Sequence, residues 1–277
     1  MDSLGSQFDQ KSGVAAMAED DIGVQNRLPF RISVATRADI EQVADLRATT
    51  YGRHLPELGE RLAQAEAADF EPGCEVLVAR SKLDDSVLGT LRIHSNVLKP
   101  LPLEASYPLP PQYEGQRLAE ATRLCVKGAA GSSLVRNALF KAFFNYCQQQ
   151  QVDWLLAVGR RPVDRLYDAL LFSDVGEAGR YYPMAHVGNV AHRVMSFLTE
   201  GAEPLWMRNN HPLYGFVFLT DHPDIDLSGA RSLQALADST ARRAVQPILQ
   251  PAPHLSLAAS NGQSYLPLPA VVRTAAA

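Results

Sequence analysis

The chain has 277 residues, 46% of them apolar, with a formal net charge of −4. That length allows one large domain or two small ones, and a mildly acidic chain carries no global signature of nucleic acid or of a membrane surface. The three cysteines (Cys74, Cys125 and Cys147) lack metal-ligand spacing, and two fall in apolar runs, the pattern of buried thiols in a reducing compartment.

Residues 1–28 are polar, small and acidic without periodicity, which predicts a disordered leader. The opening MDSLGSQFDQKSG has no basic n-region and no apolar h-region, so no signal peptide is expected and the cytoplasm is the expected location. No apolar run reaches the roughly 18 residues of a membrane span, so no transmembrane segment is expected. Phe30 to Val34 alternates as a first strand. Thr36 and Asp39 form a capping-box-like pair, and Ile40, Val43, Ala44 and Arg47 repeat at helical spacing up to Tyr51. Arg61 to Phe70 reads as a second, weaker helix or an ordered loop. Glu75 to Arg80 and Val87 to Ser95 read as two strands of a hairpin turning at Leu83-Asp84-Asp85-Ser86. Between Asn96 and Gln116 stand Pro100, Pro102, Pro108, Pro110 and Pro111, and ordered loops of that length are often functional.

Leu118 to Cys147 reads as strand, small-residue turn and helix. Its strand, L-A-E-A-T-R-L-C-V, carries Glu120 and Arg123 inside an apolar run, where charges are costly unless paired or used. Leu134, Val135, Ala138, Leu139, Ala142, Phe143 and Tyr146 give the helix an apolar stripe to pack on a sheet. Val152 to Val158 reads as a strand buried on both faces. Gly159-Arg160-Arg161-Pro162 leads into another helix ending near Phe172, and Val194 to Thr199 is a further strand. Ser228 to Arg243 suits a helix, and Gln246 to Ala277, rich in Pro, Ala, Ser and Leu, predicts a mobile tail. The expected fold is a mixed, mostly antiparallel α/β (α+β) sheet of about seven strands flanked by helices. One domain over 29–227 would carry it, with 228–277 a C-terminal helix and tail.

The order β-α-α-β-β-β-α-β-α-β, with a small-residue turn after the fourth strand, resembles the GNAT N-acyltransferase fold. R-L-Y-D-A-L-L-F-S-D-V-G, Arg165 to Gly176, resembles that superfamily's fourth helix. Three motifs resemble the branch that takes acyl groups from acyl carrier protein: Leu46-Arg47 with Tyr51, Gly89-Thr-Leu-Arg92-Ile, and Glu120-Ala-Thr122-Arg123-Leu. A-E-A-T-R-L, L-L-F-S-D-V, H-V-G-N-V-A-H-R-V and H-P-D-I-D are similar to the FeeM-like N-acyl amino acid synthases, relatives of the acyl-homoserine-lactone synthases. The resemblance implies transfer of a long acyl chain from the phosphopantetheine of acyl carrier protein to an amino acid's α-amine, with no tightly bound cofactor. The usual CoA pyrophosphate signature lacks its leading Gln/Arg here, which points the donor away from free CoA. The acidic pair that homoserine-lactone synthases place after the first helices is not obvious, Asp69 and Glu71 being loose candidates, so S-adenosylmethionine is not the expected substrate. A lactone-type signal synthase and a non-enzymatic acyl-sensing domain are the rivals.

Aminolysis of a thioester needs a neutral amine, a stabilised oxyanion and a protonated leaving thiol. Glu120 either takes the ammonium proton or pairs with Arg92 or Arg123 to tie strands together. Strict alternation sets Glu120 and Thr122 on one face and Arg123 on the other, so all three serve one pocket only if the strand bulges or splays. Backbone N–H groups freed there would bind the thioester oxygen. The resemblance places Arg47 and Tyr51 at the acceptor pocket, gives Arg92 and Arg123 a carboxylate-positioning or bracing role, and makes Tyr167 a proton donor to the thiolate or a core tyrosine. Val126, Gly128, Gly131, Ser132 and Ser133 would hold the pantetheine at a helix N-terminus, Ser132 otherwise being an ordinary cap. Cys125 has no histidine neighbour in sequence, so no acyl-enzyme is expected. Seven basic residues against two acidic ones between Arg123 and Arg165 suggest a docking rim for an acidic carrier protein, with Lys127, Arg136 and Arg160 as its best candidates. No histidine pair has metal spacing. His186, His192, His211 and His222 lie in the family phrases without an assignable role.

Overall fold

The computed structural model describes residues 26–128 and 131–245. The expected leader up to residue 25 and the expected tail from residue 246 lie outside the described residues. In chain order the elements are β1 (Phe30–Val34), α1 (Asp39–Gly52), α2 (Pro56–Leu62), β2 (Cys74–Ser81), β3 (Val87–Ser95), β4 (Leu118–Val126), α3 (Ser132–Gln149), β5 (Trp154–Gly159), α4 (Asp164–Ala169), β6 (Ser173–Asp174), β7 (Tyr182–Met184), β8 (Val190–Leu198), α5 (Ala202–Arg208), β9 (Ile225–Asp226) and α6 (Leu233–Val245), with short 3₁₀ turns between several of them. The sheet runs β6-β8-β5-β4-β3-β2-β1-β9, with β7 paired to β8. Only β4–β5 and β1–β9 are parallel. Among the described residues nine strands replace the expected seven or so, because β6, β7 and β9 are too short to show a period.

Alternation along the central strands divides the molecule. Leu77, Ala79, Leu91, Ile93, Ala119 and Ala121 turn to one face and pack on Ala138, Leu139, Ala142 and Phe143 of α3 in the main core. Gly89 permits the close approach, since a Cβ there would stand 2.8 Å from Val135 Cγ1. On the opposite face Val76 and Val78 meet Ile40 and Val43 of α1. Farther along, the Pro-rich segment folds back over that face: Leu101, Leu103, Tyr107 and Tyr113 pack with Leu118, Leu156 and Val194. The loop is therefore ordered, built on 3₁₀ turns at Pro102–Ala105 and Pro111–Tyr113.

Two local expectations are corrected and one open alternative is resolved. α1 begins at Asp39, whose carboxylate accepts the Thr36 backbone N–H and hydroxyl, each at 2.7 Å, so only half of a capping box forms. The helix at α3 is capped by Gly131, in a left-handed backbone with φ 84°, and Ser132 is its first helical residue. Arg61 to Phe70 holds the end of α2 and a 3₁₀ turn at Ala67–Phe70 that closes with Glu66 and Asp69.

The sheet opens at one point. β4 and β5 pair only from Leu118↔Trp154 to Ala121↔Ala157, after which β5 continues with β8 alone. On its other edge β4 slips against β3, where Arg92 faces Thr122 but Thr90 faces Cys125, and Arg123 takes a left-handed backbone with φ 54°. A bulge and a splay thus coincide at Thr122–Leu124.

Candidate active site

A cavity of about 190 Å³ occupies the splay. Tyr51 of α1, Thr122 and Arg123 of β4, Arg160 just before α4, Tyr167 within it, and His186 on the 3₁₀ turn Ala185–Val187 all form part of its wall. The bulge does what alternation forbids, bringing Arg123 to the same side as Glu120 and Thr122. A nearly closed apolar slot continues from it, sharing Ala121, Leu124 and Tyr167 and reaching Phe140, Leu170 and Phe172.

Beside the cavity lies a buried ion cluster. Arg47 Nη1 donates to both oxygens of Asp69, at 2.8 and 2.9 Å. Arg92 Nη1 donates to Glu66 at 2.9 Å and to Asp69 at 3.1 Å. Arg123 grips Glu66 with two hydrogen bonds, from Nε at 2.8 Å and Nη2 at 2.7 Å. Burial would raise Glu66, but the Arg123 hydrogen bonds and the charges of Arg92, Arg123 and Arg47 outweigh it and hold the carboxyl down to about 2. Arg47 is 1% exposed and lies in this cluster, while Tyr51 lines the cavity. The acidic partners are Glu66 and Asp69; Glu71, the other loose candidate, pairs instead with exposed Lys99.

Glu120 is treated differently. It has no exposed surface, its Oε2 accepts the Leu103 backbone N–H at 2.9 Å, and its Oε1 has no hydrogen-bond partner among the described residues. Burial pushes its carboxyl up to about 8, against the pull of the Leu103 N–H and the Arg92 charge. The strand-tying ion pair with Arg92 or Arg123 is not made. Thr122 Oγ1 instead lies 3.1 Å from His94 Nε2 and accepts from Arg92 Nε at 3.3 Å. Burial and the Arg92 charge hold His94 down to about 3, so its ring is neutral. Tyr167 is pushed up to about 12 by burial and by Glu120, and Tyr51 is raised by burial. Cys125 is 2% exposed and its thiol is pushed up to about 12 by burial, a poor nucleophile at neutral pH.

The turn after β4 stands apart. Val126 pairs with Gly89 at the strand end, Lys127 and Gly128 are exposed, Ser132 is half-buried and Ser133 exposed, and Ala129–Ala130 lie outside the described residues. Of the three docking candidates, Arg160 borders the cavity and Lys127 faces solvent. Arg136, half-buried, borders the apolar slot, and its Nε is buried without a partner among the described residues. Glu66 and His94 escaped the sequence reading, and His186 was noted there without a role. Glu66 stands three residues before Asp69, a spacing that carries meaning only once Arg47, Arg92 and Arg123 converge on it. Among the described residues no cluster of His, Cys, Asp and Glu is arranged to hold a metal, and no helix is long and apolar enough to cross a membrane.

The family described as N-acyl amino acid synthase FeeM matches residues 42–194, more than half of the chain and every residue that lines the cavity. The chain belongs to that family. It is an acyltransferase of GNAT fold. Among solved structures, FeeM, an N-acyl amino acid synthase from uncultured soil microbes, is 16% identical with a TM-score of 0.50, over 65% of this chain and 96% of that one. The CoA-dependent acyl-homoserine lactone synthase BjaI, with SAM and isopentyl-CoA, is 17% identical with a TM-score of 0.53, over 76% and 99%. At such identities the likeness is one of fold. No curated protein matches the sequence.

Proposed function

We propose that this protein transfers an acyl chain from the pantetheine thioester of acyl carrier protein to the α-amine of an amino acid, by direct aminolysis without an acyl-enzyme. The observation that carries this reading is Glu120, a buried carboxyl with one oxygen unpartnered and a raised pKa, beside a cavity at the β4–β5 splay. Such a group gains a proton readily and loses it near neutral pH, as amine deprotonation demands. The backbone of β4 past Ala121, unpaired with β5, faces the thioester oxygen. The apolar slot receives the start of the acyl chain. Arg123 Nη1, buried without a partner, meets the acceptor's carboxylate. Tyr167 protonates the departing thiolate. Arg160 and Lys127 draw the acidic carrier protein to the cavity mouth.

One observation favours a second reading. Glu66 and Asp69 form an acidic pair after the first helices, as in a homoserine-lactone synthase using S-adenosylmethionine. Their oxygens are bound by three arginines, however, which supports a structural role. Mass spectrometry of lipids from cells expressing the chain tests both: N-acyl amino acids present with wild type and absent with Glu120→Gln are expected. Acyl-homoserine lactones, or no new acyl amide, would overturn the proposal.

A further inference from the structure

His186 stands between Glu120 and the cavity. Glu120 has no exposed surface, whereas the imidazole of His186 forms part of the cavity wall. Nε2 of that ring lies 3.5 Å from Glu120 Oε1. Glu120 Oε1 and both ring nitrogens of His186 are buried, and none has a hydrogen-bond partner among the described residues. Three unsatisfied polar atoms at that depth are costly, and a proton shared between Oε1 and Nε2 satisfies two of them. The backbone that carries the ring is held from outside. The His186 carbonyl accepts from Arg123 Nη2 at 3.3 Å, and the Ala185 N–H donates to Ser106 Oγ of the Pro-rich loop at 2.9 Å.

We propose that His186 is a catalytic residue, the proton link through which the buried Glu120 acts on the attacking amine. This rests on the acyl-transfer reading above. The α-ammonium first loses one proton to solvent and becomes the nucleophile. As its nitrogen bonds the thioester carbon, a second proton passes from nitrogen to the Glu120–His186 pair. The C–S bond then breaks, the sulfur takes a proton from Tyr167, and the pair returns its proton to the Tyr167 phenolate through solvent in the cavity. The pair accepts a proton only when Glu120 starts as the carboxylate, taking the His186 Nε2–H and leaving Nδ1 with a free lone pair.

The surroundings set when that form exists. Glu120 and Arg123 face His186 from β4, Arg92 and His94 from β3, His192 from β8, and Glu66 from the turn before β2. Tyr167 and Glu104 face Glu120 in turn. Burial and the nearby Arg123 hold His186 down to about 4, so it stays neutral through the physiological range. Burial holds Glu120 up to about 8, so the competent pair grows in as pH rises through that value.

The test uses the full chain with dodecanoyl-acyl carrier protein and an equimolar mixture of the common amino acids, reading thiol release and amide product. His186→Gln is expected to lower kcat by roughly 100-fold or more with KM little changed, and to remove the inflection near pH 8. Added imidazole is expected to restore part of the rate of His186→Ala. Both variants folded, within about threefold of wild type and keeping the inflection, would overturn the proposal. A second readout needs no turnover: the ¹⁵N shifts of His186 should titrate near pH 8 in wild type and lose that step in Glu120→Gln. Shifts that do not move across that range overturn the coupling. If wild type makes no amide while the shifts titrate, the acyl-transfer reading fails and the proton sharing stands.

Discussion

Glu120 and the pair Glu66–Asp69 lie on the same face of the sheet, a few strands apart in chain order, and meet opposite electrostatic fates. Glu66 and Asp69 face Arg47, Arg92 and Arg123, and the arginines hold Glu66 down to about 2. Glu120 faces a backbone N–H and a histidine, and burial pushes it up to about 8. Depth alone does not decide what a buried acid does. Three arginines grip the first pair, which ties α1 to β3 and β4, while Glu120, held by no arginine, can take up and release a proton near neutral pH.

The largest expected effect breaks the ion-paired side. Glu66→Gln leaves Arg92 and Arg123 buried with one carboxylate fewer, and should cost roughly 3–5 kcal/mol in urea unfolding near neutral pH. The sign follows from a lowered pKa. The stability Glu66 supplies is complete above pH 4.5 and is lost as pH falls through about 2, so the deficit of the variant should shrink in acid.

A smaller effect, of opposite sign, sharpens the other side. Glu120 has a raised pKa, so the stability of its neutral form is complete below pH 4.5 and is lost as pH rises through about 8. Glu120→Gln has no such loss. Its Tm should fall less than that of wild type between about pH 6 and about pH 9, by a few degrees. A parallel fall in both proteins would mean that Glu120 is ionised at neutral pH.

Much of this arrangement was legible in the sequence. Alternation placed β1 to the residue, the turn at Leu83–Ser86 placed β3, and helical spacing found the buried face of α1, where local period and burial agree. The motif Glu120-Ala-Thr122-Arg123 was visible as charges inside an apolar strand. What it hid was conformation: the left-handed backbone at Arg123 is set by a bulge against β3 and by the grip of Glu66, 57 residues away. The same distance in sequence concealed the role of Glu66, and His186 reaches Glu120 from a turn 66 residues later. Side chains that meet only after the sheet is assembled leave no local pattern. Gly131 rather than Ser132 at the start of α3 is a smaller miss of another kind, where a left-handed cap outcompetes a hydroxyl.

The central claim is that Glu120 is the reactive carboxyl and Glu66–Asp69 the structural one. The most direct measurement is the pH profile of thiol release and amide formation for wild type and Glu120→Gln, with dodecanoyl-acyl carrier protein as donor. Wild type should rise through an inflection near pH 8. Glu120→Gln, still folded, should be slower by roughly 10²–10⁴-fold and keep only the titration of the substrate amine itself. A Glu120→Gln protein with the wild-type rate and the wild-type inflection would contradict the account.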